Sequence, residues 1–191
     1  VTDKPIIFST SMAQALWDGR KTQTRRVTSL KGLRWTKGDR LYVRETFCHF
    51  PDSCPDGMGE LTYYAANQRA DQVEEENRIM KRNGVKWRPS IHMPRLFSRM
   101  TLNVTDVRVE RLNDISERDA VAEGLINKGD HTWPVWSAGE GFKDHLEFPI
   151  GAFRELWESI NGAGSWGANP WVAVITFDVV KANIDQIGPV S

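Results

Sequence analysis

The run Gly19-Arg20-Lys21-Thr22-Gln23-Thr24-Arg25-Arg26 sets a lysine three residues before a threonine hydroxyl and flanks both with arginines. Like charge from Arg20, Arg25 and Arg26 disfavours the ammonium form of Lys21. A lysine poised near neutral pH can serve as a general base or activate a hydroxyl such as that of Thr24. The same run also reads as an anion-binding loop, in which Lys21 stays protonated and joins the arginines in holding a phosphate.

The basic character continues downstream. From Arg20 to Arg44 there are nine basic residues against one acid, Asp39, which makes this segment, Arg44 included, a candidate anion-binding surface. Trp35 and Trp87 each adjoin an arginine and can offer a ring on which a base stacks, whereas Trp17, Trp157 and Trp171 sit on core-like patterns. From Leu112 to Ile160 the balance reverses, with ten acids against four bases. The two segments either neutralise one another across the fold or give the molecule two oppositely charged sides.

The elements that must position these residues follow from pattern. Pro5 to Phe8 reads as a buried strand, and a short helix capped at Thr10 or Ser11 carries Met12, Ala15 and Leu16 on one face until Gly19. Gly19 to Val27 alternates too irregularly for a half-buried strand, whereas Arg40 to Phe47 alternates as a strand does, and so does Leu61 to Ala65. Asn67 to Gly84 is a solvated helix or insertion, and Arg88 to Arg95 is extended and bounded by prolines. Met100 to Val109 changes alternation phase near Thr105-Asp106, which predicts a bulge. Ser116 and Asp119 resemble a capping box. Pro149 opens an amphipathic helix with Ile150, Phe153, Leu156, Trp157 and Ile160 on one face, stopped at Asn161-Gly162. Trp171 to Val180 is the longest apolar strand and is expected to be central. The sum is an α+β domain around a compact curved sheet or small barrel.

The 191 residues, 40% hydrophobic and 26% charged with a formal net charge of zero, suit one globular domain. No window approaches the roughly 18 apolar residues that span a bilayer, and the first residues do not resemble a secretory signal, so a cytoplasmic protein with no membrane partner is expected. Cys48 and Cys54 are too few for a disulfide scaffold, and C-x5-C with the adjacent His49 lacks the paired spacing of a zinc site, so no metal is expected. His49, His92, His131 and His145 are isolated and read as surface or structural residues. P-loop, G-x-S-x-G, H-E-x-x-H and Rossmann glycine patterns are missing. Trp133, Trp136 and Trp166, in loops rich in glycine and proline, form a candidate contact patch for a structural or particle protein.

The blocks Ala15-Leu16-Trp17-Asp18-Gly19-Arg20-Lys21-Thr22-Gln23-Thr24-Arg25-Arg26 and Lys37-Gly38-Asp39-Arg40-Leu41-Tyr42-Val43-Arg44 resemble the signature of ASCH domains, a PUA-like family. The Thr105 to Leu112 strand, the Ile115 to Gly124 helix and the closing Trp171 to Val180 strand are similar to that family too. Pro89 to Arg95 resembles the longer ASCH proteins of phages and prophages. The matching blocks cover about half the chain, with 50–84 and 126–148 as expansions.

The resemblance implies a small PUA-like curved β-barrel flanked by short helices, with a cleft facing RNA, nucleotides or modified nucleosides. Some small ASCH proteins are amidohydrolases that remove the acetyl group of N4-acetylcytidine with a lysine, a threonine and a glutamate and without a cofactor; others are described as RNA binders or ribonucleases. Carried onto this chain, Lys21 is the proton acceptor, Thr24 the nucleophile or positioner of water, and Glu123 the donor to the leaving amine. The binding reading uses Arg20, Arg25, Arg26, Arg44 and Trp35 for phosphate or nucleic acid. The second arginine of the Arg25-Arg26 pair suits a phosphate-bearing ligand.

Overall fold

A computed structural model describes residues 3–29, 32–51, 61–68, 72–129, 135–139, 142 and 148–188. Strand β1 (Asp3–Ile7) leads into helix α1 (Thr10–Trp17), which is capped at Ser9 rather than at Thr10 or Ser11. Strands β2 (Gln23–Val27) and β3 (Arg40–Arg44) follow, then a hairpin of β4 (Phe47–Phe50) and β5 (Leu61–Tyr64), and helix α2 (Val73–Arg82). The long strand β6 (Thr101–Arg111) precedes helix α3 (Glu117–Ala122) and a two-residue ladder of β7 (Ile126–Asn127) with β8 (Trp136–Ser137). Helix α4 (Pro149–Asn161) and strand β9 (Trp171–Val180) complete the order.

Five strands form one mixed sheet in the order β1-β3-β6-β9-β2, with β1 parallel to β3 and the other pairs antiparallel. The fold is therefore α+β, with β9 interior as its apolar sequence requires. The sheet does not close into a barrel among the described residues. Strand β3 pairs with Thr101–Asn103 at one end of the β6–β9 ribbon, and β2 pairs with Val172–Thr176 at the other. The two sheet edges are thus offset, and a side chain rather than a ladder joins them: Arg26 Nη2 donates to the Ile7 carbonyl at 2.6 Å. The expected bulge is present, with the β6–β9 register shifting between Val104 and Asp106.

Three segments depart from their sequence patterns. Gln23 to Val27 is an edge strand despite its irregular alternation, because β9 supplies its ladder and distant carboxylates take up its polar side chains. The alternation from Arg40 to Phe47 holds, but the strand breaks into β3 and β4 at Glu45-Thr46, where the 1%-exposed Glu45 carboxylate accepts from Arg99 Nε and Nη2 at 2.9 and 3.0 Å. The proline-bounded stretch is not extended throughout: short 3-10 turns at Ser90–His92 and Arg95–Phe97 each follow a proline, whose fixed φ suits a first turn.

The main core joins Leu16 of α1, the β3, β6 and β9 side chains Leu41, Leu102 and Phe177, and the inner face of α4. Ile160, on the expected apolar face, is 55% exposed. Trp136 and Trp166 pack against this core instead of forming an outward patch; Trp133 lies outside the described residues. Half-buried Trp87 packs against Cys48, Phe50 and Met80, which form a second, smaller core. Cys54, His131 and His145 also lie outside the described residues. The segments 50–84 and 126–148 contribute β5, α2 and the β7–β8 ladder outside the five-stranded sheet. No helix among the described residues is long and apolar enough to cross a membrane.

Arg99 ties the β3–β4 connection to α1 and β5. Besides Glu45, its guanidinium lies 4.3 Å from the Trp17 ring centroid and 3.9 Å from that of Tyr64. Replacing Arg99 with Met strands a buried carboxylate, and unfolding in urea is expected to show a loss of about 3 kcal/mol. Adding Glu45→Gln removes the stranded charge and is expected to restore part of that loss.

Candidate functional site

Helix α1 ends at Gly19 with φ 75°, a left-handed value that turns the chain back on itself. The backbone N–H groups of Arg20 and Lys21 then both donate to the Ala15 carbonyl, at 2.9 and 3.1 Å. The reversed chain meets the C-terminus of α3. Thr22 N donates to Ala122 O at 2.9 Å, and Lys21 and Glu123 form an antiparallel bridge. Arg20 Nη1 fastens the junction by donating to the Gly124 carbonyl at 2.6 Å.

That bridge sets two charged side chains against each other. Lys21 and Glu123 are both 2% exposed, and Lys21 Nζ donates to Glu123 Oε2 at 2.6 Å and to the Glu123 carbonyl at 2.8 Å. The other carboxylate oxygen, Oε1, accepts from Arg25 Nη1 at 3.0 Å. Arg25 in turn donates to Glu110 Oε1 from Nε and Nη2, at 3.2 and 2.8 Å, and lies 3.4 Å from Asp119 Oδ2. Arg108 closes the cluster, donating to Glu110 Oε2 at 3.0 Å and to Asp119 Oδ2 at 2.8 Å. Three cations and three carboxylates are thus interleaved, as buried charge requires.

Burial pushes the Lys21 ammonium below its ordinary value of 10.5. The charge and hydrogen bond of Glu123 oppose this, while Arg26 and Arg25 add to it. Like charge therefore acts as the sequence suggests, but second to desolvation, and from Arg25 and Arg26 rather than Arg20. Burial also lowers Arg26, against the pull of Glu123. Cys48 is a buried thiol raised to about 11, chiefly by desolvation, and is no nucleophile.

The buried pair opens on a cleft of about 630 Å³, within the range of small-molecule sites. Thr24 lines it with Lys21 and Glu123; Phe8 and α4 residues Phe153, Leu156 and Trp157 give it apolar and aromatic walls. Arg26, Arg44 and Trp35 line the same cleft and are half-buried, and the exposed Arg34 joins them. Thus Lys21, Thr24, Glu123, Arg26, Arg44 and Trp35 are brought together. Arg20 is not: it lines a separate groove beside Trp17 and Asn67 and is committed to Gly124 O and Asp18. Arg25 reaches the cleft but is engaged by three carboxylates.

The sequence alone places Arg34 only within the general basic segment, Trp157 only in the core and Asp119 only at a helix cap, and assigns no role to Arg108 or Glu110. Arg108 and Glu110 fall two apart on one strand, hence on one face, which was the available signal. Among the described residues no group of three potential metal ligands is gathered. Comparison with models of known protein families, with curated proteins and with solved structures returned no match.

The junction depends on Gly124, at φ 99°. A Cβ there would lie 2.8 Å from Ala15 Cβ and 3.0 Å from Lys21 Cβ. Gly162, at φ 94° with open space around it, is a matched control. Gly124→Ala is expected to cost about 2 to 4 kcal/mol in denaturant unfolding, from strain plus overpacking, and Gly162→Ala about 1 to 2 kcal/mol, from strain only. Equal losses would remove the close approach from this account.

Proposed function

We propose that this chain is an ASCH-type, PUA-like domain whose cleft hydrolyses the acyl amide of a modified nucleobase, with N4-acetylcytidine as the type substrate. The observation that carries this reading is the buried Lys21–Glu123 pair on the wall of an aromatic-lined cleft that also holds Thr24. Two donated hydrogen bonds are as many as a neutral lysine amine can make, which leaves its lone pair available to accept a proton. Burial favours that neutral form. The offset sheet edges meeting over the cleft support the PUA-like assignment.

In the proposed reaction Lys21 Nζ takes the proton of the attacking hydroxyl, from Thr24 or from a water that Thr24 positions. Oxygen adds to the acyl carbon, the carbon–nitrogen bond breaks, and the departing amine needs a proton. The proton held on Lys21 passes across the 2.6 Å contact to Glu123 and from there to the amine. Arg25 holds Glu123 in place for that transfer. If Thr24 attacks, water then hydrolyses the acyl ester, so the net products on either route are the free base and the carboxylic acid.

Turnover of N4-acetylcytidine is the test. Lys21→Arg and Lys21→Met are expected to lower kcat/KM by about 100-fold or more while the protein stays folded by circular dichroism. Retained turnover in both variants overturns the reading. The pH profile is a second check, because the reactive form is neutral and the folded pKa is lowered. The kcat/KM value should rise with pH through that lowered pKa and level off below 10.5, the ordinary lysine value.

A second reading, a non-catalytic binder of RNA or single-stranded nucleic acid, is favoured by the three cleft arginines, Arg26, Arg34 and Arg44, that have no carboxylate partner among the described residues. It predicts ligand affinity that survives Lys21→Met, with no turnover in the wild type.

A further inference from the structure

The lining of the cleft is far from the zero net charge of the whole chain. It carries five cations, Lys21, Arg25, Arg26, Arg34 and Arg44, and one acid, Glu123. Lys21 and Arg25 are neutralised within the buried cluster. The remaining three arginines are not ion-paired among the described residues. Arg26 and Arg44 are each held at one corner by a main-chain carbonyl, those of Ile7 and Ile91, which fixes the guanidinium without cancelling its charge.

The guanidinium groups of Arg26, Arg34 and Arg44 are what this lining offers a ligand; the Nε–H groups of Arg26 and Arg44 and the indole N–H groups of Trp35 and Trp157 belong to lining residues but are themselves buried. Three guanidinium groups from β2, β3 and the connection between them overmatch a carboxylate, which has one charge and two oxygens. They suit a phosphate, with its additional oxygens and charge. The half-buried Trp35 ring, 5.7 Å from the Arg34 guanidinium, gives the rest of such a ligand a ring to stack on.

We propose that Arg26, Arg34 and Arg44 form a phosphate subsite at the mouth of the cleft, so that its ligand is a phosphate ester of a nucleoside rather than a free nucleoside. The proposal rests on the nucleobase reading of the cleft but not on its catalysis.

The test is equilibrium binding to the whole chain, followed by tryptophan fluorescence, of cytidine, cytidine 5′-monophosphate, inorganic phosphate and a short single-stranded cytidine oligonucleotide at low salt. The monophosphate is expected to bind about tenfold tighter than cytidine or better, with inorganic phosphate competing. Arg44→Gln and Arg34→Gln should each erase most of that difference; Arg34 is exposed, so its variant tests the subsite without disturbing the core. An oligonucleotide that binds at least as well as the monophosphate identifies a diester strand as the source of the phosphate, and a weaker one identifies a terminal monoester. Equal affinity for cytidine and its monophosphate, discrimination unchanged in both variants, or no binding of any probe at millimolar concentration overturns the proposal. Lys21→Met separates the two readings: phosphate discrimination that persists in an inactive Lys21→Met protein keeps the subsite independent of the chemistry. Wild-type turnover of N4-acetylcytidine without phosphate discrimination leaves the chemistry standing and removes the subsite.

Discussion

Everything around the site answers to one constraint, that an ammonium and a carboxylate are removed from water side by side. Taking two such charges out of solvent costs several kcal/mol apiece unless geometry and further hydrogen bonds compensate. Here the compensation is built outward in steps. Side-chain exposure is 2% at Lys21, 3% at Glu123, 17% at Glu110, 21% at Asp119 and 37% at Arg108, with Arg25 fully buried between them. Each of the six charges touches at least one opposite charge of the cluster, so none is buried uncompensated. The close approach of Ala15, Lys21 and Gly124 exists to hold the innermost pair in register.

That constraint divides a basic segment that looks uniform in sequence. Arg20 becomes a strut, its guanidinium turned to the Gly124 carbonyl. Lys21 and Arg25 become interior charges with assigned carboxylates. Arg26, Arg34 and Arg44 keep their charge uncancelled and share one cleft. Neutrality of the whole chain conceals this division, because the compensating acids are collected on β6 and α3, behind the inner pair and away from the outer three.

Local physics made much of the fold legible. The Ser116 cap, whose Oγ accepts from Asp119 N at 3.1 Å, the β6 bulge, the Pro149 start of α4 and the interior β9 each follow from a few adjacent residues. Strand β2 was hidden because a buried strand is read from apolar alternation, and this one buries Gln23, Thr24 and Arg25. The groups that make such burial tolerable, Glu110 and Glu123, lie 85 and 98 residues away from Arg25. No window of sequence contains both sides of that pairing. The break at Glu45 has the same origin, its partner Arg99 being 54 residues downstream. Residue types and spacing pointed to Lys21 and Thr24, and Glu123 came only from the resemblance to ASCH domains, while the network that tunes them is a property of tertiary structure.

The two halves of the cleft respond to solvent in opposite ways. The inner pair is shielded, and added salt does little to charges that ions do not reach. The outer arginines are more exposed, Arg34 most of all, and their attraction for an anion is screened as ionic strength rises. Under the proposed reading, capture of a phosphate ester is therefore the salt-sensitive step, and proton transfer between Lys21 and Glu123 is not. A single chain can hold both behaviours within one cleft because Glu123 confines the compensated charge to the interior, and the β1–β2 gap spanned by Arg26 keeps the uncompensated charge nearer solvent.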